Sequence, residues 1–502
     1  MKLSKSSLAD LNAQTVEIPS AEMFELPEKV LQFGTGVLLR GLPDYYIDKA
    51  NKQGVFNGRV VVVKSTDRGT TAEFDEQDSL YSICVRGIEN GQKVEKNIIS
   101  SAISRVLTAG KEWEEILDVA ASPSLEVIIS NTTEVGIQLS EDDVYATPPV
   151  SFPGKLLAVL FHRYKMYNGS ADRGLVIVPT ELIPDNASKL KDILVKLAKK
   201  NQLPEAFVLW MLESNQFCNS LVDRIVPGKP EKAVLDELES QLGYTDELLT
   251  MSEVYSLWAI EGDEKVKEKL AFAQVDKGVV VTPDINLHRE LKLRLLNGTH
   301  TLSCGVAYLA GFETVKEAMD NPKMEAYINN LMKQEIAPAI PYEVTEDVTT
   351  NFANNVLDRF RNPHIKHQWL SITMNYTSKL KMRVVPVLLN FVNAQKAVPE
   401  LMAFGFAAYL KFMESKEVDG KYYGTLNGRD YLINDDKAAY VANLMNGSKD
   451  KLKAVFSDTV LWGENLYELP GFAKSVEKIY NDMQAQSVRQ KLSAMEFNDL
   501  AV

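Results

Sequence analysis

Residues 291 to 300 read LKLRLLNGTH, and Lys292, Asn297 and His300 stand there in a K-x4-N-x2-H spacing. On a regular α-helix these three fall at about 0°, 140° and 80°, within one arc of about 140°. Leu291 and Leu295 project outside that arc and are expected to pack the helix down. A lysine, an amide and an imidazole converging this way suit the reduction of a ketone. Lysine can deliver a proton to the oxygen as hydride reaches the carbon. Asparagine and histidine can hydrogen-bond the same oxygen while it carries developing charge. A free lysine titrates near ~10.4, and closeness to His300 with partial burial is expected to lower that value for Lys292. Taken singly, each residue has a plainer reading: Lys292 and Arg294 as a solvated face, His300 as a hydrogen-bonded helix residue.

Hydride needs a carrier, and the N-terminal part offers a place for one. Residues 29 to 36, KVLQFGTG, read as a strand entering a glycine turn at Gly34 and Gly36, and LPDYYIDKAN follows as a helix. Free backbone N–H groups and the helix dipole at such a turn favour the pyrophosphate of a dinucleotide. Leu39 stands where a third glycine would complete G-x-G-x-x-G, so an ordinary turn fits the pattern too. The run VVVVK at 60 to 64 reads as a second buried strand. Its end, Lys64-Ser65-Thr66-Asp67-Arg68, has no acid at the position that usually holds the ribose of NAD; Lys64 would equally suit a 2′-phosphate, so NADP stays open.

Further along, residues 77 to 104 read as a β-hairpin turning at Glu89-Asn90-Gly91, and LEVIIS at 125 to 130 as a strand. Loops after parallel strands line the ligand crevice, which makes Asn131 and Glu134 candidates for the nicotinamide or substrate side. A helix near 153 to 167 leads to the strand GLVIVP and a loop containing Glu181 and Leu182, and residues 187 to 216 read as helices. FCNSLVDRIVPG carries Asn219, Asp223 and Arg224, and Asp223 could equally pair structurally with Arg224. A strand, GVVVTPD, ends near Asp284; from 286 onward the pattern is helical, the tail from 415 to 502 included. A capping box at Thr314 to Glu317 opens one of these helices. The expected architecture is α/β: a Rossmann-like nucleotide-binding domain over 1–285, then a mostly α-helical substrate and catalytic domain over 286–502, facing it across a cleft.

Residues 359 to 383 hold Arg359, Arg361, His364, Lys366, His367, Lys379, Lys381 and Arg383. Eight basic groups in so short a run suit a carboxylate clamp, or else a solvated helix face. His364-x2-His367 has no third ligand nearby, so no metal is expected.

Composition narrows the function classes. A net charge of −13 argues against nucleic acid or an anionic membrane as the main partner. Three scattered cysteines, Cys84, Cys218 and Cys304, fit a reducing compartment. The first residues lack an apolar signal segment, and no apolar run approaches the ~20 residues that span a bilayer. A cytoplasmic enzyme acting on a small molecule, monomeric or a small homo-oligomer, is expected.

Several segments carry a resemblance: the K-x4-N-x2-H spacing, LQFGTGVLLRG from Leu31, SNTTEVGI from Ser130, PTELI from Pro179, FCNSLVDRIVPG from Phe217 and RFRNPHIKHQWLSI from Arg359. Together they resemble the mannitol dehydrogenase family of polyol-specific long-chain dehydrogenases, over most of the chain. The resemblance implies NAD as cofactor and metal-free catalysis, with Lys292 as acid and base and Asn297 and His300 on the substrate oxygen. It implies a cofactor loop at Phe33, Gly34, Thr35 and Gly36, with Arg40 completing the family's G-x-G-x-x-x-R. It places Glu181, Asn219 and Asp223 beside the substrate. Arg361, His364 and above all Lys379, near a basic position of the family, become candidates for a substrate carboxylate. Mannitol dehydrogenases carry Asp-Asn where Glu181-Leu182 stands, and that asparagine helps hold the substrate oxygen. The E-L-I variant is similar to the family's uronate reductases and implies a sugar acid. A fructuronate reductase or a polyol 2-dehydrogenase is the other reading within the family. A non-catalytic nucleotide-binding regulator is the reading outside it; the missing third glycine suits that reading, and the intact Lys-Asn-His set does not.

Overall fold

The computed structural model describes residues 1–66, 69–132 and 136–497. The chain divides into two compact units, Met1–Arg86 with Lys93–Ile285, and Gly87–Gln92 with Asn286–Val502.

The first unit is built on a six-stranded parallel sheet. Its order is Ile103–Thr108, Arg59–Lys64, Glu28–Phe33, Val127–Ser130, Val176–Pro179, Gln216–Phe217. Burial on both faces explains the unbroken apolar strands. Leu31, Phe33, Val61, Val63 and Ile128 pack into the core on one side, and Val30, Val60, Val62, Val127 and Ile129 into the core on the other. Neighbouring residues alternate faces at the two-residue period of a strand, and each fully buried aliphatic side chain stabilises by about 1.5–3 kcal/mol. Glu28–Phe33 lies centrally, with its chain-order successor on one side and Val127–Ser130 on the other. Strand order reverses there, which opens a crevice outside the carboxyl ends of the strands. The loops after Phe33, Lys64, Ser130 and Pro179 all leave from that edge. Two three-stranded sheets complete the unit. One joins Thr250–Glu253 to the hairpin Tyr81–Glu89 and Gln92–Ser100; the other joins Val279–Thr282, Leu257–Glu261 and Ser220–Asp223.

The second unit is mostly helical around one large apolar cluster that includes Leu291, Leu295, Leu302, Trp369, Leu380 and Phe406. Two expectations need correction. The tail is not wholly helical: Lys416–Val418, Lys421–Leu426 and Arg429–Leu432 form an antiparallel sheet. Gly420 and Gly428, both at positive φ, turn its two hairpins, a local signal that outweighs the surrounding helical pattern. The Lys-Asn-His stretch is also not regular α-helix. Asn286–Leu291 is α-helical, Lys292–Gly298 is π-helical, and Thr299–Leu309 is α-helical again.

Candidate active site

In the first unit the glycine turn divides its work between two residues. Gly34 has φ +128, a conformation that side-chain-bearing residues rarely adopt. A Cβ there would lie 2.8 Å from the Asn131 carbonyl oxygen and 2.9 Å from Leu39 Cδ1. Gly34 therefore exists for the approach of two protein segments. Gly36 precedes the helix Val37–Gly41, is exposed, and a Cβ there would meet no atom within 4 Å. That open space at a helix start is where an anion would sit. Thr35 lies half-buried between them. A strand end, a glycine at positive φ and an uncrowded helix N-terminus fit a dinucleotide.

Phe33 and Arg40 face elsewhere. The Phe33 ring is in the core, 5.2 Å from the Phe152 ring, and only its backbone joins the turn, accepting from Asn131 N–H. Arg40, expected at the cofactor, is buried; its guanidinium donates to the Leu248 carbonyl and lies over the Phe74 and Tyr81 rings. The short helix turns position 40 inward, so the arginine braces the turn from behind.

The neighbouring loops are tied together by buried polar groups. Asn131 Nδ2 donates to Thr180 Oγ1 at 2.9 Å and to the Thr180 carbonyl at 3.2 Å. Glu181 is buried and accepts from Thr132 N–H, the Thr132 hydroxyl and the Ser130 hydroxyl. Burial pushes its carboxyl up from the ordinary value while these hydrogen bonds hold it down. Expected beside the substrate, Glu181 instead knots the two loops, and the adjacent Leu182 is exposed. Asn219 is engaged with Ser188 and Glu261. Asp223 is buried at the end of Ser220–Asp223. Arg224 donates to the Glu253 and Gly41 carbonyls and covers the Tyr45 ring. Glu134, like Asp67, lies outside the described residues.

In the second unit the π-helical turns change the geometry of the reactive set. A regular helix would leave Lys292 and Asn297 about 140° apart. The wider i→i+5 turn of a π-helix brings residue 297 nearer to the line of residue 292, and such turns are frequent at functional sites. Arg294, in the same turn, is no solvated residue. It is buried, paired with Glu290 at 2.8 Å, and donates to the carbonyls of Met382 and Arg383 at 2.7 and 2.9 Å.

His300 sits in an aromatic box. Its ring stacks on Phe360 at 4.1 Å and meets the edges of His367 at 5.1 Å and Trp369 at 6.0 Å. Burial, then the charges of His367, Arg359, Arg383 and Lys379, drive its pKa well below the usual histidine value. The imidazole is neutral at pH 7 and brings no positive charge to Lys292. Its Nε2 is buried without a hydrogen-bond partner among the described residues. A neutral ring with an unengaged nitrogen can hydrogen-bond a substrate oxygen.

The basic segment sorts itself by direction. Lys379 and Arg383 lie one turn apart on the helix Tyr376–Arg383. Arg383 Nη1 donates to Thr301 Oγ1 at 3.1 Å, beside His300, and its Nε is buried without a partner among the described residues. Lys379 is half-buried, and burial followed by Arg383 lowers its pKa. Arg359 is buried at the end of Glu346–Phe360 and acts on both His300 and His367. Arg361, by contrast, is paired with Glu325 at 2.8 Å and with Asp358 at 3.5 Å. His364 and Lys366 are exposed, and Lys381 bonds the Val460 carbonyl. Arg359, Arg383 and His367 thus join Lys379 around His300, where Arg361 and His364 had been expected. The four-residue spacing of Lys379 and Arg383 was the available signal.

The chain is similar to known proteins over most of its length. The profile of the mannitol dehydrogenase Rossmann domain matches residues 28–274, and that of the mannitol dehydrogenase C-terminal domain matches residues 284–484. Altronate oxidoreductase of Halalkalibacterium halodurans is 38% identical over 486 residues, 94% of each chain. That of Bacillus subtilis is 36% identical over 470 residues, 93% of this chain and 95% of the relative. Among solved structures, Pseudomonas fluorescens mannitol 2-dehydrogenase, in ternary complex with NAD and D-mannitol, aligns with a TM-score of 0.67 at 22% identity, covering 98% of this chain and 99% of that one. D-Sorbitol dehydrogenase in substrate-free form aligns at 0.79 and 19%, covering 98% and 100%, and these two show the shared fold. The two matched domains and the full-length relatives establish that the chain belongs to the mannitol dehydrogenase family.

Proposed function

We propose that this enzyme reduces a keto-uronate to a sugar acid with NADH, reversibly and without a metal, and that the pair is tagaturonate and altronate. The observation that carries the choice of an acid is the gathering of Arg359, Lys379, Arg383 and His367 around His300 in a chain of net charge −13. A carboxylate there would relieve the mutual repulsion of the cations and restore the charge that burial weakens on Lys379. The altronate oxidoreductases, at 34–38% identity, support the same reading.

NADH, when bound, supplies hydride to the carbonyl carbon. Lys292 Nζ gives its proton to the carbonyl oxygen as the C=O bond is reduced, and takes it back in the oxidation direction. Asn297 and the neutral His300 hydrogen-bond that oxygen while its charge grows. Lys379 holds the substrate carboxylate, with Arg383 and Arg359 adding to the field. The glycine turn at Gly34 and Gly36 seats the pyrophosphate. NADH and NADPH oxidation across tagaturonate, fructuronate and fructose tests the reading. The expected order is tagaturonate first and fructose last, with NADH preferred; fructose equal to or above the keto-uronates would overturn it.

A further inference from the structure

The helix Tyr376–Arg383 is only two turns long, yet it carries Lys379 and Arg383. Asn375 before it is in the left-handed conformation, and its side chain does not cap the helix. The cap comes from elsewhere in the chain. Asp435, beyond the strand Arg429–Leu432, places one carboxylate oxygen 2.7 Å from Thr377 N–H and 2.9 Å from the Thr377 hydroxyl. Its other oxygen accepts Lys437 N–H at 2.7 Å. Around it, Asn375 N–H donates to the Asn434 carbonyl, Ser378 donates to Asp436, and the Thr377 hydroxyl meets Tyr409. The opposite end is held with opposite charge: the Arg294 guanidinium donates to the last two carbonyls, those of Met382 and Arg383. An anion at the helix N-terminus and a cation at its C-terminus both complement the helix dipole. Arg294 lies in the π-helical turn with Lys292, so the helix is referenced directly to the reactive stretch.

We propose that Asp435 is a positioning residue: by capping Tyr376–Arg383 from the small C-terminal sheet, it sets where Lys379 and Arg383 meet the substrate carboxylate. This rests on the keto-uronate reading for its effect on catalysis, but the clasp itself does not. Too short to hold its shape in isolation, the helix depends on contacts such as these. The sheet at 416 to 432 then has a task beyond closing the unit: its last strand delivers Asn434, Asp435 and Asp436 to the helix start.

Two measurements on the whole enzyme test this. In Asp435→Ala, amide hydrogen exchange over 376–383 should accelerate about tenfold, the effect of losing a good cap, with other helices unchanged. KM for the keto-uronate should rise by a similar factor, with smaller changes in kcat, in NADH affinity and in KM for fructose. Asp435→Asn, which keeps an oxygen for Thr377 N–H but loses the charge, should show a smaller rise of about threefold in both exchange and KM, and decides the matter if the alanine variant does not fold. Unchanged exchange at 376–383 in the folded variants, or equal losses on keto-uronate and fructose, would overturn the proposal. If the unmodified enzyme reduces no keto-uronate, the proposed function falls, and the exchange measurement still decides whether Asp435 holds the helix.

Discussion

The two glycines of the nucleotide turn make separable demands, and substituting each isolates one of them. At Gly34 an alanine must adopt φ +128 and place its Cβ 2.8 Å from a backbone carbonyl. Left-handed strain of this kind costs about 1–3 kcal/mol. The Asn131 carbonyl must also retreat, and Asn131 is tied to Thr180, so the displacement spreads to the loop after the next strand. A total of roughly 2–4 kcal/mol corresponds, for a unit of this size, to a loss in Tm on the order of 10 °C. Gly36 already has an ordinary backbone conformation, and its Cβ direction is open. Gly36→Val should therefore leave Tm within about 2 °C yet weaken NADH binding, because the side chain fills space meant for phosphate. Calorimetry and NADH fluorescence titration on both variants give the comparison. Equal Tm values with equal NADH affinities would refute the division. A large Tm loss in Gly36→Val with undisturbed NADH binding would show an ordinary turn.

Lys292→Ala should lower turnover by roughly 10² to 10⁴ while NADH binding stays nearly unchanged; near-normal turnover would remove lysine from the proton-donor role. Lys379→Met should lose on the order of 1.5–3 kcal/mol of kcat/KM on the keto-uronate and little on fructose, and equal losses would assign it to the fold or the reacting carbonyl. Asp44 is buried, accepts from Gln32 Nε2 at 3.2 Å, and has its pKa raised to about 7 by burial. Its other oxygen and Gln32 Oε1 are both without partners among the described residues, an arrangement that a proton on Asp44 would satisfy. The folded value lies above the ~3.9 of an unfolded aspartate, so between the two the folded state holds a proton that the unfolded chain has released. Stability from this group falls as pH rises through that window, by up to about 1.4 kcal/mol per unit, and levels off above about 7. Asp44→Asn should gain Tm relative to the unmodified protein between pH 4 and 7; a constant difference would show that the group does not titrate there.

Much of the architecture was legible because the signals were local. The apolar run VVVVK is long enough to be buried on both faces, and KVLQFGTG ends a strand at a glycine that tolerates positive φ. The chain order of strands and helices then leads to a parallel sheet with a reversal of order at its centre, followed by helices. Part of the C-terminal tail departs from the helical pattern around it because Gly420 and Gly428 turn two hairpins there.

The site was legible in its residue types but not in their directions. K-x4-N-x2-H marks Lys292, Asn297 and His300, and helical spacing puts them on one arc only for a regular helix. The π-helical turn over 292–298 has no signature in those seven residues; it depends on partners such as the carbonyls of Met382 and Arg383, which come from distant sequence. Composition likewise showed a basic run at 359 to 383 without showing that Arg361 is neutralised by Glu325 while Arg383 reaches Thr301. Arg40 and Glu181, both placed at ligands by the family resemblance, are turned into the protein by short segments whose orientation is set by what they pack against. Asp435, more than fifty residues beyond the helix it caps, carries no local sign of that role. Spacing and residue type are properties of neighbours along the chain, so the sequence could determine strands and the glycine turn and single out a candidate reactive set. Which charges converge, which cancel and which helix end is capped depend on contacts between residues far apart in sequence, and only the tertiary structure decides them.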